Sequence, residues 1–192
     1  MAKRLALILI AYVGMTGVAQ AASGFDFNFI SVDRKLMSLE QFRGKAVVVV
    51  NTATACGFSY QFEHLEKVWR DRKDEGLVIV GVSSNDFGSQ EPRKGKALLN
   101  HCKRQYGVSF PLTERTAVVG PNAHPFYQWA AAQSGSRPKW NFHKYILGRD
   151  GTIVASFPST VDPRSAQMAL AITSALKRPT RTVPVDGDGE EP

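Results

Sequence analysis

The chain has 192 residues, 43% of them hydrophobic and 21% charged, enough apolar content for one globular domain and too little charge for wholesale disorder. Two cysteines exclude a small fold stapled by disulfides. The formal net charge of +7, part of it from Lys3 and Arg4, is spread among acids as in "WRDRKDEG", so no basic face suited to nucleic acid forms.

In chain order, the first segment reads as an export signal over residues 1–21. Lys3 and Arg4 make a basic start, "LALILIAYVGMTGV" an apolar run, and Ala19-Gln20-Ala21 a small-residue cleavage site. The run is about 14 residues, short of the roughly 20 that span a bilayer. The expectation is a mature chain starting near Ala22 outside the cytoplasm, in a bacterial periplasm, with an uncleaved anchor as the alternative.

"AVVVVNTA" then reads as a strand covered on both faces. Phe62, Leu65, Val68 and Trp69 recur at helical spacing, with Gly76 as the stop. "LVIVGVSS" is a second buried strand, and residues 93–106 a helix with Leu98, Cys102 and Tyr106 on one stripe. A third helix is expected around Ala123 to Ala132. "KYILGRDGTIVASF" reads as a hairpin about Asp150-Gly151, and a last helix covers roughly 163–177. The tail over 178–192, rich in Pro, Gly and acids, is expected to be flexible. A β-α-β unit joined to an antiparallel pair and closed by a helix predicts an α/β, thioredoxin-like domain over 22–177, with a central mixed β-sheet flanked by helices.

Chemistry concentrates at the joint of the first core strand and helix, where Cys56 stands alone. A helix N-terminus and its unpaired N–H groups favour thiolate, the reactive form. The bland alternative is an inert packed thiol. No C-x-x-C surrounds Cys56, which removes the dithiol oxidoreductase reading.

The motifs "NTATACGFS", "NDFGSQEP", "GVSFP" and "KWNFHKYILGRDG" occur in this order at spacings that resemble the glutathione peroxidase family. The likeness runs from about Phe25 to Leu176 and points to the thiol-dependent, two-cysteine branch. It implies that Cys56 is the peroxidatic cysteine and that Gln90, Trp140 and Asn141 complete a catalytic tetrad. Neutral amide and indole N–H donors suit that role, because they stabilise a thiolate, and later the charge on a departing oxygen, without themselves being charged. The resemblance further implies that Cys102 is a resolving cysteine, condensing with a Cys56 sulfenic acid to a disulfide. Cys102 lies on a predicted helix, so its segment would have to open. Packing alone is its other reading.

Departures from the family pattern bear on the site. Ser84 stands where many relatives carry a further cysteine. Asp86 replaces a usual glutamine and brings a carboxylate that disfavours the thiolate if turned inward. The short segment "QWAAAQSGSRPKW" implies a monomer with an open site that admits hydrogen peroxide and bulky organic or lipid hydroperoxides. No bound cofactor is expected, only a thiol reductant as co-substrate, either a thioredoxin-like protein or glutathione. Two other functions use the same sequence: a thiol redox sensor or relay, and a non-catalytic thioredoxin-fold binding protein holding a metal. His64, His101, His124 and His143 show no spacing of a closed metal site, so no metal is expected.

Overall fold

The computed structural model describes residues 23–180. The expected signal, 1–21, and all but the first residues of the expected tail lie outside the described residues.

The main sheet has four strands in the order β4-β3-β5-β6. β3 (Ala46–Thr52) and β4 (Leu77–Ser83) run parallel, with Val47 opposite Val78 and Asn51 opposite Val82. β5 (Lys144–Leu147) lies antiparallel on the other side of β3, and β6 (Ile153–Phe157) antiparallel beyond it. Every residue of β3 and β4 is buried, as their unbroken apolar runs require of strands covered on both faces. The hairpin turns at Gly151, whose φ of 78° is the left-handed region that glycine enters without strain. This is the predicted α/β, thioredoxin-like plan with a mixed sheet.

Alternation along β3 sorts the core into two layers. Val48 and Val50 face one layer with Phe62 and Leu65 of α1 (Gln61–Arg72), Cys102 of α2 (Gly95–Tyr106), and Met168 and Ile172 of α4 (Ala166–Lys177). Val47 and Val49 face the other, with Val80, Phe29, and Phe126 and Tyr127 of α3 (Pro125–Ser134). Each such side chain contributes about 1.5–3 kcal/mol by leaving water.

Helix starts are set by caps. α3 begins at Pro125 behind His124, whose ring nitrogen accepts the Phe126 N–H, and α4 follows Ser165, whose hydroxyl accepts that of Met168. Both begin slightly later than the apolar spacing suggests. Gly76, at φ 97°, ends the α1 region as expected. Sequence reading missed β1 (Asn28–Ile30) and β2 (Leu36–Ser38), an antiparallel pair. Three-residue strands are too short to display a period of two, and their turn is held by the Ser31 hydroxyl, which donates to Asp33 and accepts from the Lys35 amide.

Candidate active site

Cys56 sits where β3 gives way to α1, buried to 4% exposure. The chain between is a run of turns, with the Ser59 N–H bonded to the Cys56 carbonyl and the Gln61 N–H to that of Phe58. α1 starts at Gln61, beside Phe62 where the predicted stripe begins, and turn residues 57–60 separate the thiol from the helix end expected to face it. The N–H that reaches the sulfur belongs to the turn: Phe58 donates to Sγ over 3.4 Å. Since a helix dipole fades within a turn of its end, this local amide is the donor on which the thiolate depends.

Gln90 lies on the loop after β4. The Ala55 N–H donates to the Gln90 carbonyl at 2.9 Å, fastening that loop to the residue before Cys56. Gly88 and Ser89, with φ of 63° and 53°, bend the chain into this position. Asn141 is fully buried, and its side-chain amide donates to the Gln90 side-chain oxygen at 3.0 Å. That bond commits the Gln90 oxygen as acceptor and leaves its NH2 as a donor. The Asn141 side-chain oxygen is buried without a partner. Trp140 is 39% exposed, its ring 5.7 Å from that of Phe87. The structure therefore joins Gln90 to Asn141 by a side-chain bond and to the Cys56 loop through the backbone. Trp140 forms the open edge.

Asn51, missed by sequence reading, carries the Trp140 segment. From the buried end of β3 its side chain donates to the Trp140 carbonyl at 3.1 Å and accepts the His143 N–H at 3.0 Å. These bonds hold the bend in which Phe142 adopts a φ of 66°. Only its place in "VVVVN", a polar residue closing an apolar strand, distinguished it in the sequence.

Glu91 was also missed. It is fully buried, and its carboxylate accepts from the Thr54 N–H (2.9 Å), the Thr54 hydroxyl (2.7 Å) and the Arg93 N–H (3.1 Å). The Arg93 guanidinium donates to the same Thr54 hydroxyl. Burial raises the Glu91 pKa, against the lowering effect of these donors. The network binds the strand leading to Cys56 to the segment leading into α2.

Cys102 is wholly buried on α2, in the same core layer as Cys56, and both are free thiols. Burial first, then the Glu91 charge, pushes its thiol up to about 12, with Arg93 opposing. Asp86 is turned away from the site: its carboxylate accepts the Val118 and Val119 N–H groups at 2.6 and 3.2 Å. Ser84 is buried and donates its N–H to the Thr52 carbonyl.

The histidines have other partners. His64 contacts Asp162 at 2.7 Å, His124 the Asn28 carbonyl, and His143 the Ser156 hydroxyl, while His101 packs edge-on against Tyr106. Burial holds His143 down to about 4. Among the described residues, no three His, Cys, Asp or Glu side chains are grouped to hold a metal ion.

A solitary cysteine behind the first parallel strand of this sheet, with amide side chains converging from two loops, defines a thiol enzyme on a thioredoxin-like fold. Residues 24–131 match the family model "Glutathione peroxidase". The glutathione peroxidase of Lactococcus lactis subsp. cremoris is 36% identical over 148 residues, 74% of this chain and 94% of the relative. A hydroperoxy fatty acid reductase of Synechocystis is 35% identical over 149 residues, covering 72% and 88%. Among solved structures, apo Trgpx is 34% identical with a TM-score of 0.69, covering 84% of this chain and all of that one. A thioredoxin-family thiol:disulfide interchange protein from Chlorobium tepidum, 20% identical with a TM-score of 0.58 over 82% and 98%, shares the fold alone. The chain belongs to the glutathione peroxidase family and is, as an enzyme, a peroxidase.

Proposed function

We propose that the protein is an exported thiol peroxidase that reduces hydrogen peroxide and organic or lipid hydroperoxides through Cys56. The observation that carries this reading is the tie between the Cys56 loop and the Gln90–Asn141 amide pair. In the first step the Cys56 thiolate attacks the terminal oxygen of ROOH. The O–O bond breaks, the sulfur takes one oxygen as sulfenate, and RO− leaves and is protonated to alcohol, or water for hydrogen peroxide. The Phe58 amide stabilises the thiolate, and the NH2 of Gln90, with the Trp140 indole, donates to the leaving oxygen as its charge grows. Asn141 acts through Gln90 as a positioning residue.

In the second step the Cys102 sulfur displaces hydroxide from the Cys56 sulfenic acid, giving a disulfide and water. A dithiol then returns both sulfurs to thiols and is itself oxidised. The chain's two-thiol economy favours a thioredoxin-like donor over glutathione, and export, read from residues 1–21, would require that donor outside the cytoplasm. The exposed Trp140 edge and the short 128–140 segment support an open, monomeric site. The name of the Synechocystis relative, a hydroperoxy fatty acid reductase, supports fatty-acyl hydroperoxides among the substrates.

The masking of Cys102 favours one second reading. A slow resolving step lengthens the life of the Cys56 sulfenic acid, which a partner thiol can intercept, as in a redox relay. Intact mass under thiol-blocking denaturation, after one equivalent of hydroperoxide, tests both. Expected are an internal disulfide in wild type and a Cys56 sulfenic acid in Cys102→Ser. Cys56→Ser is expected to lose turnover on the order of a thousandfold or more. A mixed disulfide with one specific protein, formed faster than the internal one, favours the relay. Two unchanged thiols sink both.

A further inference from the structure

Between Pro92 and Thr113 the chain carries five cations, Arg93, Lys94, Lys96, Lys103 and Arg104, and no acid. Arg93 is engaged with Thr54, but Lys94, Lys96, Lys103 and Arg104 are exposed and enter no ion pair among the described residues. On α2, Lys96, Asn100 and Lys103 follow at helical spacing, with Arg104 beside them, on the side away from buried Leu98 and Cys102. Burial first, then the charges of Arg93 and Arg104, lower the pKa of His101 on the same helix, a positive field that no acid of the helix offsets. The neighbouring α1 is different: its Lys67, Arg70 and Arg72 are paired with Asp71, Glu66 and Glu75. The helix that carries Cys102 thus presents an unpartnered cationic face.

The opposite charge stands in the chain itself. Beyond Thr180, "RTVPVDGDGEEP" places Asp186, Asp188, Glu190 and Glu191 close together, against the single cation Arg181. Thr180 lies against Gly44, just before β3. The last turn of α1 is at that same end of the sheet, since α1 leads into β4, whose Leu77 pairs with Ala46. There Arg72 donates to the Thr173 hydroxyl of α4, and Arg70 to the Gly107 carbonyl at the end of α2, so α1 stands between the two helices. Two spacings of packed helices are about 16–20 Å. Asp186 and Glu191 follow Thr180 by six and eleven residues, reaches of about 20 and 36 Å in extended chain. Asp186 to Glu190 then covers about 13 Å, against about 10 Å from Lys96 to Lys103 along the helix. Nearer the exit, Lys45 and Lys177 offer single charges and no such row.

We propose that the acidic segment 186–191 docks on the exposed face of α2, against Lys96, Lys103 and Arg104, as a strap across the helix that carries Cys102. The strap screens cations that would otherwise draw anionic thiols to that helix, and so favours neutral reductants over anionic ones. This consequence rests on the peroxidase reading above, in which Cys102 forms the disulfide; the docking itself does not.

The test uses the full chain in four forms: wild type, a tail variant (Asp186→Asn, Asp188→Asn, Glu190→Gln, Glu191→Gln), a helix variant (Lys103→Gln, Arg104→Gln) and their combination. Backbone amide NMR spectra of wild type and tail variant are expected to differ at Lys96, Asn100, Lys103 and Arg104. Those differences should vanish in 0.5 M sodium chloride, where the Debye length is about 4 Å. After oxidation by hydroperoxide, the rate of disulfide reduction by glutathione relative to 2-mercaptoethanol is expected to rise about threefold in the tail variant. Neutralising the tail of the helix variant should give no such rise. Amide differences confined to residues 181–192, or an equal rise with and without the helix cations, overturn the proposal. So does a helix variant that slows reduction by an acidic thioredoxin while the tail variant behaves as wild type, since the face then serves a partner protein. A protein in which hydroperoxide forms no disulfide overturns the resolving role of Cys102, while the amide differences still decide the docking.

Discussion

Cys56 and Cys102 occupy one core layer on the same side of the sheet, and both are almost or wholly buried, yet their surroundings differ in kind. Cys56 stands in a turn, where backbone amides are not all consumed by a helix ladder, and one of them donates to its sulfur. Cys102 stands within a helix whose amides are already bonded, packed by apolar neighbours, with the Glu91 carboxylate raising its pKa further. Near-equal burial therefore leaves the two sulfurs with different partners. What separates the two thiols is the supply of N–H donors, to which the Glu91 charge beside Cys102 adds.

Alkylation offers the largest expected effect by which this contrast can be broken. With iodoacetamide at pH 8, followed by peptide mass analysis, Cys102 should react at least about 100-fold more slowly than Cys56 until denaturant is added, because its thiolate fraction is suppressed and access requires local opening. Equal rates would mean that α2 is open in the native state and that Cys102 is no masked partner.

The Glu91 network is the next lever. Glu91→Gln places an NH2 among groups that are themselves donors, the Thr54 and Arg93 amides and the Thr54 hydroxyl. A loss of about 2–3 kcal/mol of folding stability is expected from urea unfolding. A neutral outcome would show that the carboxylate does not join the two thiol-bearing segments.

The smallest effect is in the alkaline stability curve. The Cys102 thiol ionises near 12 in the fold against an ordinary value of 9.0, so its protonated form is the one the fold favours. Its contribution is fully present below pH 9 and is lost as pH rises toward 12, by about 1.4 kcal/mol per unit. Lys144, buried and depressed to about 7 from 10.5, adds the opposite slope over part of the same range. The difference between wild type and Cys102→Ala from pH 9 to 10 isolates the thiol. Parallel curves would refute its masking.

Much of the frame was legible in the chain. Valine runs at 46–52 and 77–83, the 3.6-residue stripe through Phe62 and Leu65, and Asp150-Gly151 each announce an element, because local periodicity and turn chemistry are written over short windows. The positions of Gln90 and Asn141 followed from motif resemblance, and the structure joins their side chains. Asn51 and Glu91 did not stand out, since what they do depends on partners far along the chain. The short strands β1 and β2 escaped for want of length, and the turn over 57–60 that parts Cys56 from α1 went unread because those residues lack a distinguishing pattern.

The sequence by itself determined the family, the alternation of strand and helix, and the identity of the thiol at the strand's end, all properties of residue type and near-neighbour spacing. Only the tertiary structure decided which way the Asp86 carboxylate turns, which amide reaches the Cys56 sulfur, and why Cys102 is masked. These are matters of orientation and desolvation, set by contacts between segments distant in the chain, to which a linear pattern of residues is blind.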